Sequence, residues 1–255
     1  MKPPELSVVA PCYNEEDNVA PLARRLAAAM AEMPVAGEVI LVDDGSRDGT
    51  WAQIEALQKE LPIVRGVRHE RNRGIEGGWI SGLGAAKAPL VCFIDSDLQN
   101  RPEDVPRLYA AWSQGGADLV QGVRHPTGID RLRLVYSRTL NAWLNVLFGM
   151  RLRDNKSGFV LGRREVVSSL LEHRWRYRYY QSLLGVAAGV RGLVIAEVDT
   201  VFERRQAGQS FLAGFPLRVI LRIVGELAKY RVETWMYPPR RSPIDAAERS
   251  VAPGA

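Results

Sequence analysis

The chain has 255 residues, 46% of them hydrophobic and 25% charged, which is enough to bury one large α/β core and unlike the composition of a disordered protein. Its two cysteines, Cys12 and Cys92, lie in apolar runs, which argues against a disulfide framework or a zinc site and favours a reducing compartment. The net charge of +5 is unevenly distributed. Residues 1–120 carry 12 basic and 18 acidic side chains, whereas residues 121–255 carry 22 basic and 11 acidic ones. The basic surplus of the second half suits nucleic acid, anionic lipid or a phosphorylated substrate.

The first 120 residues alternate short apolar segments, typical of strands, with amphipathic segments, typical of helices. Strands that are apolar almost throughout predict a parallel sheet covered by helices on both faces. The pattern is βαβαβαβ, with strands over 6–13, 38–44, 63–69 and 89–97 and helices over Asn18–Met33, Thr50–Leu61 and Gly77–Ala86.

Polar residues collect where these predicted strands end. Ligands of open α/β sheets bind outside the carboxyl ends of the strands, so we expect one binding site along this edge. The residues are Tyr13, Asn14 and Glu15 after the first strand, Asp43 and Asp44 at the second, 72–74 after the third and 95–99 after the fourth.

Three oxygen-bearing side chains, Asp95, Asp97 and Gln99, follow the apolar run Leu90–Ile94. Because alternate residues of a strand share a face, a continued extended conformation directs all three the same way. Mg²⁺ and Mn²⁺ take oxygen ligands, often one or two carboxylates together with substrate phosphates, so the spacing predicts a metal held between the protein and a pyrophosphate. The alternative is a loop of solvated acids that leads into an ordinary helix start at 100–103.

Two adjacent carboxylates, Asp43 and Asp44, stand beside a turn at Gly45. As in other nucleotide-binding α/β folds, a carboxylate at a strand end can accept hydrogen bonds from a nucleobase or a ribose hydroxyl. The alternative is a turn whose polar residues only shape the backbone and cap the next helix, which accounts for Gly45 but poorly for two neighbouring acids.

From residue 121 onward the pattern is less regular. It predicts helices over Arg133–Phe148 and Glu165–His173, a turn-rich segment at 154–159 and a strand over 193–198. The tail 238–255 is rich in proline and charge and lacks apolar periodicity, so it is predicted to be disordered.

Five segments, in this order and spacing, carry a family resemblance: 11–19, 38–50, 72–74, 93–108 and 205–210. Together they resemble glycosyltransferase family 2, whose members have the GT-A fold, a Rossmann-like, mostly parallel α/β sheet with helices on both faces that binds nucleotide sugars. The segment 95–108 is especially similar to the polyprenyl-phosphate sugar transferases, and the resemblance extends over about residues 5–235. It implies an inverting hexosyltransferase that moves a sugar from a nucleotide-diphosphate sugar to a dolichyl- or undecaprenyl-type phosphate, with Mg²⁺ or Mn²⁺ as cofactor.

On the donor side, the resemblance implies a nucleoside pocket, a carboxylate on the base or ribose, and a metal and diphosphate site. Residues 1–120 form this half of the expected 1–210 domain. The nucleotide-sugar residues are Pro11, Tyr13, Glu15, Asp43 or Asp44, and Asp95, and the metal ligands are Asp95, Asp97 and Gln99.

On the acceptor side, residues 121–210, the resemblance implies a phosphate site made of Arg124, Arg133, Ser137 and Arg205. Arginine suits this role because its guanidinium binds phosphate oxygens in a bidentate way and stays charged. Arginines are abundant in this half, and the alternative is that they only solvate helix faces. The residues expected to carry catalysis are Asp95, Asp97, Arg124 and Arg205.

The sequence departs from the family pattern at two positions. Val160 stands where relatives often have arginine after SGF, and Phe211 stands where they often have lysine after GxS. Both departures concern acceptor or sugar contacts and leave the nucleotide and metal residues intact. Asp154 matches a family acid near the sugar pocket, although an acid that caps the following turn is the alternative.

Relatives either carry transmembrane helices or work at the membrane surface. This sequence has no apolar run near 18 residues and too short an apolar stretch at its start for a signal peptide, so we expect an enzyme at the cytoplasmic face of a membrane. The segment 211–237 is amphipathic and basic, which suits a lipid interface. Its basic positions are Arg218, Arg222 and Lys229, its apolar positions Leu217, Leu221, Val224 and Leu227, and Trp235 and Tyr237 lie near its end.

The aromatic and basic segment 173–181 can add to that surface, and packing against the domain or a dimer contact is the alternative for both segments. Two rival functions stay open: a family 2 transferase that acts on a glycan or small-molecule hydroxyl, and a non-catalytic nucleotide-binding protein. No nucleic acid partner is expected, because no recognised module surrounds the basic residues. A membrane-protein partner and a homo-oligomer are compatible with the sequence.

Overall fold

The computed structural model describes residues 3–126, 131–155, 157–177, 180–203 and 217–238. Its strands are β1 (Leu6–Cys12), β2 (Gly37–Asp43), β3 (Val64–Arg68), β4 (Leu90–Phe93), β5 (Leu119–Pro126), β6 (Val160–Arg163) and β7 (Ile195–Phe202). Its helices are α1 (Glu16–Ala31), α2 (Thr50–Glu60), α3 (Gly74–Ala85), α4 (Val105–Ser113), α5 (Arg131–Phe148), α6 (Arg164–Leu170), α7 (Leu184–Val190) and α8 (Leu217–Met236), with 3₁₀ turns at Pro102–Asp104 and Tyr180–Leu183.

The seven strands form one sheet in the order β3-β2-β1-β4-β6-β5-β7. The neighbours among β1 to β4 pair in parallel, as do β5 and β7, whereas β6 runs antiparallel to β4 and to β5. The predicted mostly parallel α/β sheet is therefore confirmed. Both halves of the sequence contribute strands to this sheet. Residues that follow β4 in the sequence therefore lie at the same edge of the sheet as residues that precede it.

Alternate residues of the central strands enter two different cores, one on each face of the sheet. Val9 lies in the core beneath α3, where Trp79 stacks on Phe93 with ring centroids 4.8 Å apart. Val8 and Ala10 lie in the opposite core, beneath α1, α2 and α4. Because every second side chain of a strand points to the same face, continuous apolar strands require this double cover.

Two glycines bring α3 unusually close to β1. A Cβ atom on Gly82 would lie 2.2 Å from Cγ1 of Val9, and one on Gly78 would lie 2.7 Å from Cβ of Pro11. Neither distance is compatible with a side chain, so both positions require glycine for packing. The helix that begins at the third strand end is thereby fixed beside Pro11 at the first.

The predicted helices and strands differ from the observed ones by at most four residues at either end. The sequence pattern did not predict β5, β6 or α7, and of α4 it gave only a helix start at 100–103 as an alternative. Strand β6 has only four residues, and its partners in β4 and β5 are distant in sequence, so no local pattern marks it. Among the helices that the structure describes, none combines the length and the apolar character needed to cross a bilayer.

Candidate active site

The loops after β1 and β2 are joined by reciprocal hydrogen bonds. The backbone N–H of Asn14 donates to Oγ of Ser46 at 2.9 Å, and Oδ1 of Asn14 accepts from the backbone N–H of Arg47 at 2.9 Å. The backbone N–H of Glu15 donates to Oγ1 of Thr50 at 2.9 Å. Asn14 has a φ of +53°, a left-handed conformation that asparagine tolerates better than most residues. These hydrogen bonds therefore hold the two predicted binding segments together, so that they form one wall of the site.

Asp44 is buried, and both of its carboxylate oxygens accept hydrogen bonds from within the protein. Its Oδ1 lies 2.7 Å from Nδ1 of His69 and accepts from the backbone N–H of Arg73 at 2.8 Å. Its Oδ2 accepts from the backbone N–H of Gly74 at 2.8 Å. These contacts fix the loop that leads into α3, so Asp44 has a structural role.

Asp43 is fully buried and differs from its neighbour in its contacts. Its Oδ1 accepts from the backbone N–H of Ser46 at 2.9 Å, whereas its Oδ2 has no hydrogen-bond partner among the residues that the structure describes. Nε of Arg68 lies 3.6 Å from that Oδ2, and the Arg68 guanidinium lies over the Trp51 ring, 5.2 Å from its centroid. A buried carboxylate oxygen without a donor costs free energy, which a ligand N–H or O–H can recover. Arg68 and Trp51 belong to no recognised sequence motif, so they were not predicted as site residues.

The segment after β4 is not extended, and the prediction of a continued strand through Asp97 was wrong. The strand ends at Phe93, the chain turns at Ser96 and Asp97, and Leu98 has a φ of +61°. Leu98 is buried in the core, and this burial fixes the turn. Asp95, Asp97 and Gln99 are nevertheless the half-buried members of the segment, alternating with buried residues, so each of the three predicted ligands is partly accessible.

Neighbouring side chains hold the acidic turn in place. Nδ2 of Asn100 donates to Oδ2 of Asp95 at 3.3 Å, and the backbone N–H of Gln99 donates to Oδ1 of Asp97 at 3.1 Å. Nε2 of Gln99 donates to the backbone carbonyl of Glu203 at 3.3 Å, so its Oε1 is the side-chain atom that a metal would use. The backbone N–H of Glu203 donates in return to the carbonyl of Gln99 at 2.8 Å. The turn is thus attached to the end of β7.

Arg124, near the end of β5, connects the basic half of the chain to this turn. Its Nε and Nη2 donate to the two carboxylate oxygens of Asp154, at 2.6 and 3.0 Å, and its guanidinium lies over the Phe202 ring, 5.4 Å from the centroid. Burial opposes the charged form, but the bidentate pair with Asp154 and the negative charges of Asp95 and Asp97 outweigh it and raise the pKa of Arg124. The structure therefore brings the predicted metal residues and one predicted acceptor residue together.

The other residues singled out from the sequence fall into four groups. Pro11 and Tyr13 are half-buried at the end of β1, and Oε2 of the buried Glu15 accepts from Nδ2 of Asn18 at 2.5 Å. Arg133 and Ser137 lie in the first turns of α5, and only their backbone is described. Arg205 and Phe211 lie outside the described residues. The side chain of Val160 is packed in a hydrophobic core.

The donor set around the acidic turn fits a hard divalent cation that also binds substrate. Within the described ranges, no group of three or more His, Cys, Asp or Glu side chains is arranged to hold a metal by itself. Asp95 and Asp97 supply carboxylates and Gln99 an amide oxygen, which are ligands that Mg²⁺ and Mn²⁺ accept. Mg²⁺ in particular is commonly held by one or two carboxylates, with substrate phosphates completing its coordination.

The model of the family described as "Glycosyl transferase family 2" matches residues 7–178, two thirds of the sequence, and the chain belongs to this family. Its sheet is that of a GT-A fold, and solved structures of similar fold support this. Glucosyl-3-phosphoglycerate synthase from Mycobacterium tuberculosis superposes with a TM-score of 0.65 at 25% identity, over 88% of this chain and 81% of that one. The same enzyme has been crystallised with Mn²⁺ and UDP-glucose, and that complex superposes with a TM-score of 0.66 at 24% identity, over 89% and 79% of the two chains.

Two curated relatives act, by name, on polyprenyl phosphates. A dodecaprenyl-phosphate galacturonate synthase of Rhizobium johnstonii is 32% identical over 213 residues, which cover 81% of this chain and 61% of the relative. A dolichol-phosphate mannosyltransferase of Mycosarcoma maydis is 31% identical over 241 residues, which cover 91% and 81%. The chain thus spans about three fifths of the length of the first relative and most of the second.

Proposed function

We propose that this protein transfers a sugar from a nucleotide-diphosphate sugar to a polyprenyl phosphate, with Mg²⁺ or Mn²⁺ as cofactor. The observation that carries the proposal is that the Arg124 guanidinium lies over Phe202, and Gln99 of the acidic turn is hydrogen-bonded to the next residue, Glu203. The charge of Arg124 thereby interacts with those of Asp95 and Asp97. A cation next to a two-carboxylate turn is suited to two phosphate groups, one held through the metal and one by the arginine. The names of the relatives support the acceptor class.

On the donor side, the proposal gives Asp43 the contact with the nucleoside. Its buried Oδ2 has no hydrogen-bond partner among the described residues, whereas Asp44 uses both oxygens for internal bonds. Pro11, Tyr13 and Glu15 form the neighbouring wall. Of the two alternatives that the sequence left open, Asp43 or Asp44, the contacts favour Asp43.

Asp95, Asp97 and Gln99 would hold the metal, which neutralises the diphosphate that leaves. In the reaction, an oxygen of the acceptor phosphate attacks the anomeric carbon from the face opposite the diphosphate. The new bond joins that carbon to the acceptor oxygen, the bond to the nucleotide diphosphate breaks, and the configuration inverts. A phosphate oxygen is already ionised at neutral pH, so the protein has to position and stabilise charge rather than remove a proton.

On the acceptor side, the proposal assigns the phosphate to Arg124, with Arg133 and Ser137 from α5 and Arg205 from the segment after β7. The rival, transfer to a hydroxyl, requires a carboxylate base within reach of the acceptor. Asp154 is the family acid nearest to that role, and both of its oxygens are bonded to Arg124. The same pair engages Nε and Nη2 of Arg124, so the acceptor phosphate would share this guanidinium with Asp154. The names of the relatives are what favours the phosphate acceptor.

Residues 1–120 then act as the donor half and residues 121–210 as the acceptor half of one domain, which works at the cytoplasmic face of a membrane. The decisive experiment incubates the protein with radiolabelled UDP- and GDP-sugars, Mn²⁺ and a polyprenyl phosphate. Label that moves into the organic phase supports the proposal. Label that appears only in water-soluble glycan supports the hydroxyl rival, and binding without turnover of any donor supports a nucleotide-binding protein.

The two neighbouring acids provide a matched pair of variants. Asp43→Asn is expected to weaken nucleotide binding about tenfold or more, because a charged hydrogen bond at the ligand is lost. Asp44→Asn is expected instead to lower the free energy of unfolding by about 2 kcal/mol, because one amide oxygen cannot satisfy the donors at His69, Arg73 and Gly74. Calorimetric nucleotide titration and urea denaturation of both variants measure the two effects. The reverse pattern would contradict the assignment.

A further inference from the structure

Helix α5 carries polar residues at four-residue spacing, namely Arg133, Ser137, Asn141 and Asn145. Residues four apart in a helix differ by about 40° in direction and about 6 Å along the axis, so these positions lie on one side of α5. Asparagine is a poor helix former, and two asparagines in the middle of one helix therefore predict tertiary contacts. Asn141 is buried and Asn145 is half-buried. The first two positions are proposed acceptor ligands, whereas the two asparagines have no role in the reaction described above.

The side-chain amide of Asn141 holds the chain on both sides of Asp154. Its Nδ2 donates to the backbone carbonyl of Leu152 at 2.7 Å, and its Oδ1 accepts from the backbone N–H of Asn155 at 2.7 Å. Asn145 adds a second pair of bonds to Leu152, because its Nδ2 donates to the carbonyl at 2.8 Å and its Oδ1 accepts from the N–H at 3.1 Å. These bonds fix the turn around Asp154 in one register against α5.

Two strands hold the same turn as well. On β5, Nε2 of the fully buried Gln121 donates to the backbone carbonyls of Asp154 and Ser157, both at 3.0 Å. On β7, Oε1 of Glu197 accepts from the backbone N–H of Arg153 at 2.7 Å. A buried amide that lost such a partner would have no water to replace it, so bonds of this kind specify one arrangement. The turn is therefore fixed between α5 and the sheet.

Asp154 connects this network to the proposed acceptor site. Its two carboxylate oxygens accept from the guanidinium of Arg124, and the backbone on either side of it is bonded to Asn141. Arg124 belongs to β5, whereas Arg133 and Ser137 belong to α5, so the ligands assigned to one phosphate come from two elements. A displacement of about 1 Å in a positioned group is enough to weaken such a site strongly. The site therefore requires a fixed position of α5 relative to β5.

We infer that Asn141, supported by Asn145, is a positioning residue for the acceptor phosphate. It sets the register of α5 against the turn that carries Asp154, and it thereby holds the proposed phosphate ligands of α5 at the distance from Arg124 that one phosphate group requires. Asn141 acts through the backbone on either side of Asp154 and does not itself contact the substrate. The inference rests on the proposed function, because the acceptor ligands are those assigned there.

Asn141→Ala tests this role with geranyl phosphate, a short prenyl phosphate that dissolves in water. Calorimetric titration gives the Kd for this phosphate, and transfer at saturating donor gives its KM. We expect both to rise about tenfold or more, because displaced ligands on α5 no longer meet the phosphate that Arg124 binds. The affinity for the donor nucleotide with Mn²⁺ should stay unchanged, because the donor loops follow β1, β2 and β4. Adding Asn145→Ala should increase the loss of acceptor affinity further.

Ser7→Ala is the matched control for stability. Ser7 is fully buried near the start of β1, the end of that strand away from the site, and its Oγ donates to Glu38 at 2.7 Å and accepts from the backbone N–H of Ala88 at 3.2 Å. Like Asn141→Ala, it removes one donor and one acceptor from buried partners, so urea denaturation should show similar losses of stability. Ser7→Ala should nevertheless keep both wild-type affinities. An equal loss of acceptor affinity in both variants, or an equal loss of donor and acceptor affinity in Asn141→Ala, would overturn the inference.

Failure of the proposed function gives a different result from failure of the positioning role. If wild-type protein binds geranyl phosphate, loses that binding in Asn141→Ala and transfers no sugar, the positioning role stands and the proposed transfer is wrong. If wild-type protein transfers sugar and Asn141→Ala equals it in Kd and KM, the transfer stands and the positioning role is wrong. Wild-type protein that neither binds the phosphate nor transfers sugar would contradict both.

Discussion

Asp97→Asn is expected to lower the rate of sugar transfer a hundredfold or more while the fold is retained. Asp97 is half-buried in a turn, and asparagine keeps its shape and its ability to accept from the backbone N–H of Gln99. What the variant loses is a negative charge that would hold a divalent cation against the donor diphosphate, and that stabilisation accounts for several kcal/mol in metal-dependent enzymes. The rate should be measured over a range of Mn²⁺ concentrations, together with the Mn²⁺-dependent shift of the melting temperature.

Glu103→Gln is the matched control for that variant. Glu103 lies in the same connection, six residues later, and forms an exposed ion pair with Arg25. Exposed pairs contribute little to stability, and this one is not among the proposed metal ligands, so turnover and Mn²⁺ response should stay near the wild-type values. Undiminished turnover in Asp97→Asn, or an equal loss in both variants, would remove the acidic turn from the proposed mechanism.

The donor half of the fold could be predicted because its signals are local. Each of its strands is a short apolar run, and each following helix has its own amphipathic period, so the elements and their order follow from neighbouring residues. The strand-end rule then placed the site on one edge of the sheet. Strand β6 escaped prediction because it is held by Phe93 and Gln121, which are far away in sequence.

The finer features of the site depend on contacts that sequence spacing cannot reveal. Asp43 and Asp44 are adjacent and chemically identical, and they differ only because the loop after β3 supplies donors to Asp44. The turn after β4 departs from the extended geometry because Leu98 is drawn into the core. Arg124 and Asp154 are thirty residues apart, and no motif links them before the chain folds.

The pair formed by Arg124 and Asp154 allows structure and function to be separated. Asp154 is buried, so Arg124→Met leaves a carboxylate without its guanidinium partner and should lower the free energy of unfolding by about 3 kcal/mol. Adding Asp154→Asn removes the buried charge and should restore much of that loss. Transfer should nevertheless stay at least a hundredfold below the wild-type rate in both variants, because neither offers the Arg124 guanidinium to the acceptor phosphate.

Urea denaturation and the transfer assay measure the two effects, and Arg153→Gln provides the control. Arg153 precedes Asp154 and is itself exposed, with ion pairs to Glu197 and Asp199, so its loss should change little. If the double variant recovered both stability and turnover, Arg124 would be only a structural partner of Asp154. If it recovers stability alone, the guanidinium acts on the substrate, because a purely structural role predicts that the two measurements change together.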